Sequence, residues 1–399
     1  MTGYEFPVIK NISDIMPAID GRDEFIIADR DTFKICNYIV NYIDTFPPIY
    51  DDTGNYNLIA ALRRECRGIT FDSSNGNILR RPFNKFFNLA EKNETQIHNL
   101  DFSKPHKRYT KLDGSFITPF EIQENSGIIC YGTKMGRTAV SEIAEEYVKK
   151  NVNYQEFSKW CIKNKLSPTY ELTSPRQRIV INYPVESLTL LAVREMHSGV
   201  YIDIESLHEI TKFDIPIVEA HDQIDDPKEF LQSLNNMKGI EGFVIAWENG
   251  YRIKMKTSEY CMFHKTKDQI NLEKNIVNMI VNNTLDDTKG FMLKEDLQSV
   301  EEFENKFNIG ISETVKKYDQ YFNSVSNLDK KSWAINHMPE MKIIDPVLVN
   351  IVFGKYQGRD TRTMIIDHIK NNCNTQNKID GIRYLWGGAK WKFNFEGDI

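Results

Sequence analysis

Hydrophobic and polar positions alternate, or fall in short apolar runs, through much of the first 256 residues, and shift to helical spacing beyond them. Tyr109 and Thr110 are β-prone and lead into Lys111, and Ser115 to Ile122 resumes a largely apolar run. Two strands are therefore expected, with Lys111 where the first ends. Ile240 to Trp247 reads as a buried strand, Glu248-Asn249-Gly250 as a hairpin turn, and Arg252 to Lys256 as the alternating partner strand. A period of two puts Arg252, Lys254 and Lys256 on one face and Ile253 and Met255 on the other. Near the N-terminus, Phe33, Cys36, Val40 and Ile43 carry a helical spacing, followed by a loop through Pro47-Pro48 and Asp51-Asp52-Thr53-Gly54. Leu272, Ile276, Met279 and Ile280, and then Val315, Tyr318 and Phe322, predict amphipathic helices.

The pattern predicts an α+β domain of antiparallel sheets with flanking helices over residues 1–256, and an all-α domain over 257–399. Two domains suit a chain of 399 residues, and 41% apolar with 27% charged residues is ordinary soluble material. The net charge of −6 argues against coating nucleic acid by bulk electrostatics, so any RNA must be gripped by a local patch. Six cysteines without a Cys-x-x-Cys pair, and eight scattered histidines, imply no zinc site and favour reduced thiols in a cytoplasm. The longest wholly apolar stretch, Leu190 to Val193, is far too short to span a membrane, and the polar N-terminus reads as carrying no signal peptide. A cytoplasmic monomer is expected, in the host cytoplasm if the source is a virus, as the abundance of Asn, Ile and Lys suits.

Candidate chemistry sits in Lys111-Leu112-Asp113-Gly114-Ser115, with Glu241-Gly242-Phe243-Val244 and Lys254-Met255-Lys256 far downstream. A lysine that attacks phosphorus must be neutral, yet at an ordinary pKa only roughly one in a few thousand is so at neutral pH. Burial and the neighbouring Lys254 and Lys256 are expected to depress the Lys111 pKa. Three cations on one strand face repel unless an anion lies across them. Taken alone, however, Lys-x-Asp-Gly is also a common turn, and a row of lysines also protects an edge strand against aggregation.

These motifs resemble those of the T-even phage RNA ligase 1 family, within the lysine nucleotidyltransferase superfamily of ligases and capping enzymes. The shared motifs are Lys111 to Ser115, Tyr170-Glu171-Leu172, Leu190 to Glu195, Glu241 to Val244 and Lys254 to Lys256. Particular to this family are Glu65-Cys66-Arg67-Gly68-Ile69, Arg81 to Asn88, and Ser174-Pro175-Arg176-Gln177-Arg178-Ile179-Val180. The resemblance implies a nucleotidyltransferase (ATP-grasp-like ligase) fold and an ATP-dependent RNA ligase using Mg2+. Such an enzyme joins 5′-phosphate and 3′-hydroxyl RNA ends, with nicked tRNA in RNA repair as one candidate substrate. DNA ligases and capping guanylyltransferases are the alternative within the superfamily. They usually carry a small β-barrel where this chain turns helical.

By the same resemblance Lys111 would form the lysyl-AMP, with Lys254 and Lys256 as catalytic cations. Arg67 and Lys85 would hold the β- and γ-phosphates, and Glu171 and Glu241 would contact ribose or hydrated Mg2+. Leu191 and Val244 would sandwich the adenine, where many relatives use an aromatic ring; both residues also suit a sheet core. Lys134 would face the substrate side, or is a plain hairpin lysine. Tyr260 matches a family position near the site, with ordinary packing equally open. Asp286 and Asp287 match a metal-associated pair, or cap the following helix. Basic residues interleaved with aromatics in the tail, Arg383 to Trp386 and Lys390 to Phe393, suit RNA stacking, although core packing of the tryptophans is the stronger reading.

Overall fold

A computed structural model describes residues 4–51 and 53–392 of the chain. It divides into two compact units, the first ending at Cys261 and the second beginning at Met262.

Among its described residues the first unit has thirteen strands: β1 (Phe25–Arg30), β2 (Phe33–Tyr38), β3 (Arg67–Asp72), β4 (Ile78–Arg80), β5 (His106–Lys111), β6 (Ser115–Glu121), β7 (Ile129–Gly132), β8 (Leu166–Thr173), β9 (Ser187–Glu195), β10 (Tyr201–Ile202), β11 (Ala220–His221), β12 (Gly242–Trp247) and β13 (Arg252–Lys256). They form three antiparallel sheets, ordered β1-β2-β3-β4, β10-β9-β8-β6-β7 and β11-β5-β12-β13. Helices Ala139–Lys150 and Val152–Lys163 bury Val140, Ala144, Val148, Tyr154 and Phe157 in one cluster with Ile117, Tyr170 and Leu190 of the middle sheet. This is the α+β arrangement that the pattern predicts.

In the third sheet, the hairpin β12–β13 pairs Val244 with Lys254 and Gly242 with Lys256, while β5 pairs Lys111 with Gly242 and Tyr109 with Val244. Ile253 and Met255 are buried beneath the sheet and Arg252, Lys254 and Lys256 share its other face, as the alternation requires. The register thus brings Lys111 and Lys256 to either side of the start of β12.

Phe33 to Ile43 departs from expectation. Phe33–Tyr38 is strand β2, bonded between β1 and β3, and Val40 and Ile43 lie exposed beyond it. Phe33, Ile35, Cys36 and Asn37 are buried, so both faces are covered, and a strand covered on both sides loses the two-residue alternation that marks it in sequence. Asp52 of the neighbouring loop lies outside the described residues.

The second unit is helical throughout its described residues. Helices Glu273–Val281, Lys294–Val325, Pro346–Lys355 and Thr361–Asn372 surround one core that includes Ile276, Val300, Phe307, Tyr318, Trp333, Val352 and Ile365. Trp386 and Trp391 are buried in that core, donating from their indole nitrogens to the carbonyls of Ala389 and Ile270. Arg383 makes a two-pronged contact with Glu273. The tail tryptophans therefore pack rather than present stacking faces; Phe393 lies outside the described residues.

Candidate active site around Lys111

Lys111 closes β5, where the backbone leaves the sheet but the side chain is still held by it. Its Nζ donates to Glu241 Oε2 at 2.8 Å, and Lys256 Nζ meets the other oxygen, Oε1, at 3.0 Å. Glu241 is buried directly before β12, so both carboxylate oxygens are taken by lysines from the two flanking strands. Gly242 makes this possible. Its φ of +143° and the Met255 carbonyl, which would stand 2.0 Å from an added Cβ, leave room for no other residue.

The loop after Lys111 is tied down by Asp113. Its carboxylate accepts from the amides of Val180 and Ile181 and from the Tyr260 hydroxyl, each at 2.7 Å, while its own amide donates to Tyr183 Oη. Gly114 lies against Leu172 O, which would be 2.2 Å from a Cβ, and its amide donates to Glu171. Motif spacing alone did not reveal this role of Asp113, because its partners come from distant segments.

A cavity of about 200 Å³ opens beside Lys111, lined among others by Arg67, Glu171, Leu191, Val244 and Lys254. Leu191 and Val244 supply apolar walls. Lys254 projects over the Phe86 ring, and its backbone is bonded to Phe87 and Leu89. Arg67 lies over the Phe116 ring, with Nη1 buried and without an acceptor among the described residues. Lys85 reaches the Tyr38 hydroxyl at 3.4 Å, and Lys134, on the turn against Gly68, lies over the same ring. Sequence reasoning missed Tyr38; its only signal was the β-strand that the helical spacing concealed.

The charges sort themselves unexpectedly. Burial pulls the Lys111 amine down, but Glu241 and Glu171 outweigh it, and its pKa rises above the ordinary lysine value. Lys254 goes the other way: burial, then Arg67, Lys85, Lys111 and Lys256, depress it well below that value. The depressed lysine is therefore Lys254 and not Lys111, because the carboxylate sits between Lys111 and Lys256. Burial pushes Glu171 up to about 8, against the pull of Lys111. Burial also raises the Tyr38 phenol, but Arg67, Lys85 and Lys134 overcome it and its pKa falls. Arg67, Lys111, Arg252 and Lys254 thus line a cavity whose one acid is Glu171, while the Glu241 carboxylate beside it is already shared by Lys111 and Lys256, which leaves a deficit of negative charge.

Asp286 and Asp287 belong to the second unit, in the first turn of the short helix Asp286–Lys289. There Asp286 pairs with Lys289 at 2.7 Å. No group of three or more His, Cys, Asp or Glu side chains suited to a metal occurs among the described residues.

Residues 65–260 match the family model described as RNA ligase, and residues 267–379 match that of the T4 RNA ligase 1 C-terminal domain. The chain belongs to the T4 RNA ligase 1 family. Within RNA ligases, it is 30% identical over 227 residues to a putative RNA ligase of Thermovibrio ammonificans, covering 57% of this chain and 55% of that protein. It is 27% identical over 206 residues to RNA ligase 1 of Bacteriophage TS2126, covering 49% and 50%. The chain spans about half the length of these two relatives. An archaeal ATP-dependent RNA ligase structure aligns over 65% of this chain and 64% of its own at 12% identity, with a TM-score of 0.42. The first family match begins at Glu65 and ends at Tyr260, so it encloses Arg67, Lys85, Lys111, Glu171, Glu241, Lys254 and Lys256. No helix among the described residues is long and apolar enough to cross a membrane.

Proposed function

We propose that this protein is an ATP-dependent RNA ligase that works through a lysyl-AMP on Lys111. The observation that carries the reading is a half-buried lysine at a strand end, paired with Glu241 and opening on a cation-lined cavity with aliphatic walls. The Lys111 Nζ–Pα bond forms as the Pα–O bond to pyrophosphate breaks. The amine must first lose a proton, and Glu241 at 2.8 Å is the nearest group to take it. Arg67, Lys85, Lys254 and Lys256 gather the charge that develops on the phosphates, and a depressed Lys254 regains its proton as the anion enters. Leu191 and Val244 hold the plane of the base.

Glu171 and Glu241, all-oxygen donors beside the phosphate position, fit Mg2+, which takes one or two carboxylates and leaves its other positions to water and substrate phosphate. When bound, the ion supplies neutralising charge at the leaving pyrophosphate. The adenylyl group then passes to a 5′-phosphate of RNA, and a 3′-hydroxyl displaces AMP. Nicked tRNA is the substrate we favour, with the helical unit contributing to the choice of RNA.

Mass spectrometry after incubation with ATP and Mg2+ should show one added AMP, lost in Lys111→Ala. That variant should still seal pre-adenylylated RNA, a step that does not use the amine. Retention of the adduct in Lys111→Ala would relocate the nucleophile, and an adduct formed only from GTP would favour a capping guanylyltransferase.

A further inference from the structure

The buried and half-buried arginines of the first unit meet desolvation in different ways. Arg80 donates to the carbonyls of Gly68, Thr118, Gly132 and Thr133. Arg81 and Arg194 share Glu65. Arg64 pairs with Glu94. Among the described residues Arg252 has neither a carboxylate nor a backbone carbonyl of this kind, and leans on the Tyr201 hydroxyl instead. Its guanidinium stacks 4.0 Å from the centre of the Tyr201 ring, with Phe83 and Tyr109 close by, and its Nε is buried without an acceptor among the described residues. Burial weakens its hold on the proton. The groups that oppose this are the phenols of Tyr201 and Tyr109 rather than any carboxylate, and Arg194 adds repulsion. Arg64 Nε is unpaired as well, but Arg252 carries its open donor on the wall of the site cavity, where a ligand can complete the hydrogen bonding.

Arg252 lines the same cavity as Lys111. It shares the β13 face with Lys254 and Lys256 but stands four residues, about 13 Å along a strand, from Lys256. On β5 and β12 the corresponding step leads from Lys111 and Gly242 through Tyr109 and Val244. Along the strands the cavity therefore runs from Lys111 at one end, past Lys254 and its register partner Val244, to Arg252 one step further on, with Arg67 and Leu191 also in its walls. Its orientation is fixed by Tyr201, whose hydroxyl is committed to Asn84.

We propose that Arg252 reads the nucleobase, its guanidinium donating to a ring-nitrogen acceptor on the edge of the purine held between Leu191 and Val244. This rests on the adenylyl-transfer reading of the same cavity. The exocyclic amine of adenine cannot accept from a guanidinium, whereas N1, N3 and N7 can. A charge-assisted bond of this kind changes affinity by roughly tenfold to a hundredfold.

The test compares AMP-type adduct formation by the full chain with ATP and its 1-deaza, 3-deaza and 7-deaza analogues. One analogue should show a KM raised by about thirtyfold with kcat little changed, and the other two should resemble ATP. Arg252→Met should raise KM for ATP by a similar factor and should not raise it further for the weak analogue. Equal charging of all three analogues by the wild-type chain overturns the assignment, whether or not the variant folds. So does an unchanged additional penalty for the weak analogue in Arg252→Met. Absence of any ATP adduct in the wild type removes the adenylyl-transfer reading and this inference together; a flat analogue profile removes this inference alone.

Discussion

Glu241 holds two lysines with one carboxylate, and this sharing sets the protonation of Lys111. Replacing Glu241 with Gln removes the strongest opponent of burial, so the Lys111 pKa should fall. Acylation of Lys111 by an amine-directed reagent, followed by mass spectrometry across pH, should give a lower midpoint in Glu241→Gln than in the wild type. A midpoint unchanged or higher would mean that the ion pair does not control the amine. Glu171 makes the opposite kind of claim. Its folded pKa, pushed up to about 8, lies above the ordinary value, so the folded state holds a proton that the unfolded state releases. That contribution is complete below pH ~4.5 and is lost as pH rises through about 8. Glu171→Gln keeps an acceptor for the Gly114 amide and cannot ionise. Urea unfolding should therefore find it gaining on the wild type between pH 5 and pH 8; parallel stability profiles would refute the shift.

Strands and turns carry this chemistry only while their register holds. Gly242 sits where β5, β12 and β13 meet, and Gly242→Ala would drive a methyl group into the Met255 carbonyl. A loss of about 2–4 kcal/mol is expected, read by denaturant unfolding, together with loss of the Lys111 adduct. A second brace lies in the interior. Glu65, at the end of helix Leu58–Glu65, joins Arg81 after β4 to Arg194 on β9 and precedes Arg67 by two residues. Burial raises the Glu65 carboxyl, but Arg194 and Arg81 overcome it and hold the pKa at about 2. Its stabilisation is therefore present above pH ~4.5 and fades as pH falls towards about 2. Glu65→Gln should cost about 3–5 kcal/mol at neutral pH and less in acid, measured by urea titration at both. Neither brace was readable beforehand. The β12–β13 hairpin was, because its turn and alternation are local, whereas Glu65 finds its arginines through long-range closure. Phe33 to Tyr38 misled for a related reason: covered on both faces, the strand shows no contrast between them.

The two units have separate interiors. The helical core draws only on residues from Ile270 onward, and the clusters around the sheets only on residues up to Met255. Phe307→Ala, at a fully buried position, should cost about 3–5 kcal/mol and lower one calorimetric transition while the other stays in place. Every residue of the Lys111 site lies in the first unit, so AMP adduct formation at 20 °C should persist in this variant. A single transition that shifts as a whole would show that the two cores unfold as one.

Local patterning determined much of what this chain is. Strand alternation around Lys111 and Lys254, helical spacing past residue 270, and the order of its motifs are properties of neighbouring residues and survive in a one-dimensional string. The candidate site residues Lys111, Arg67, Glu171, Leu191, Val244 and Lys254 could be named because those motifs resemble a known family's, and the fold gathers them around one cavity. Charge state could not be named. That Glu241 would be shared, that Lys254 would be the depressed amine, that Asp113 would moor a loop and that Arg252 would keep one donor, Nε, open among the described residues depend on distances across strands far apart in sequence. Electrostatic energies vary with separation and burial, and only the closed tertiary structure sets either.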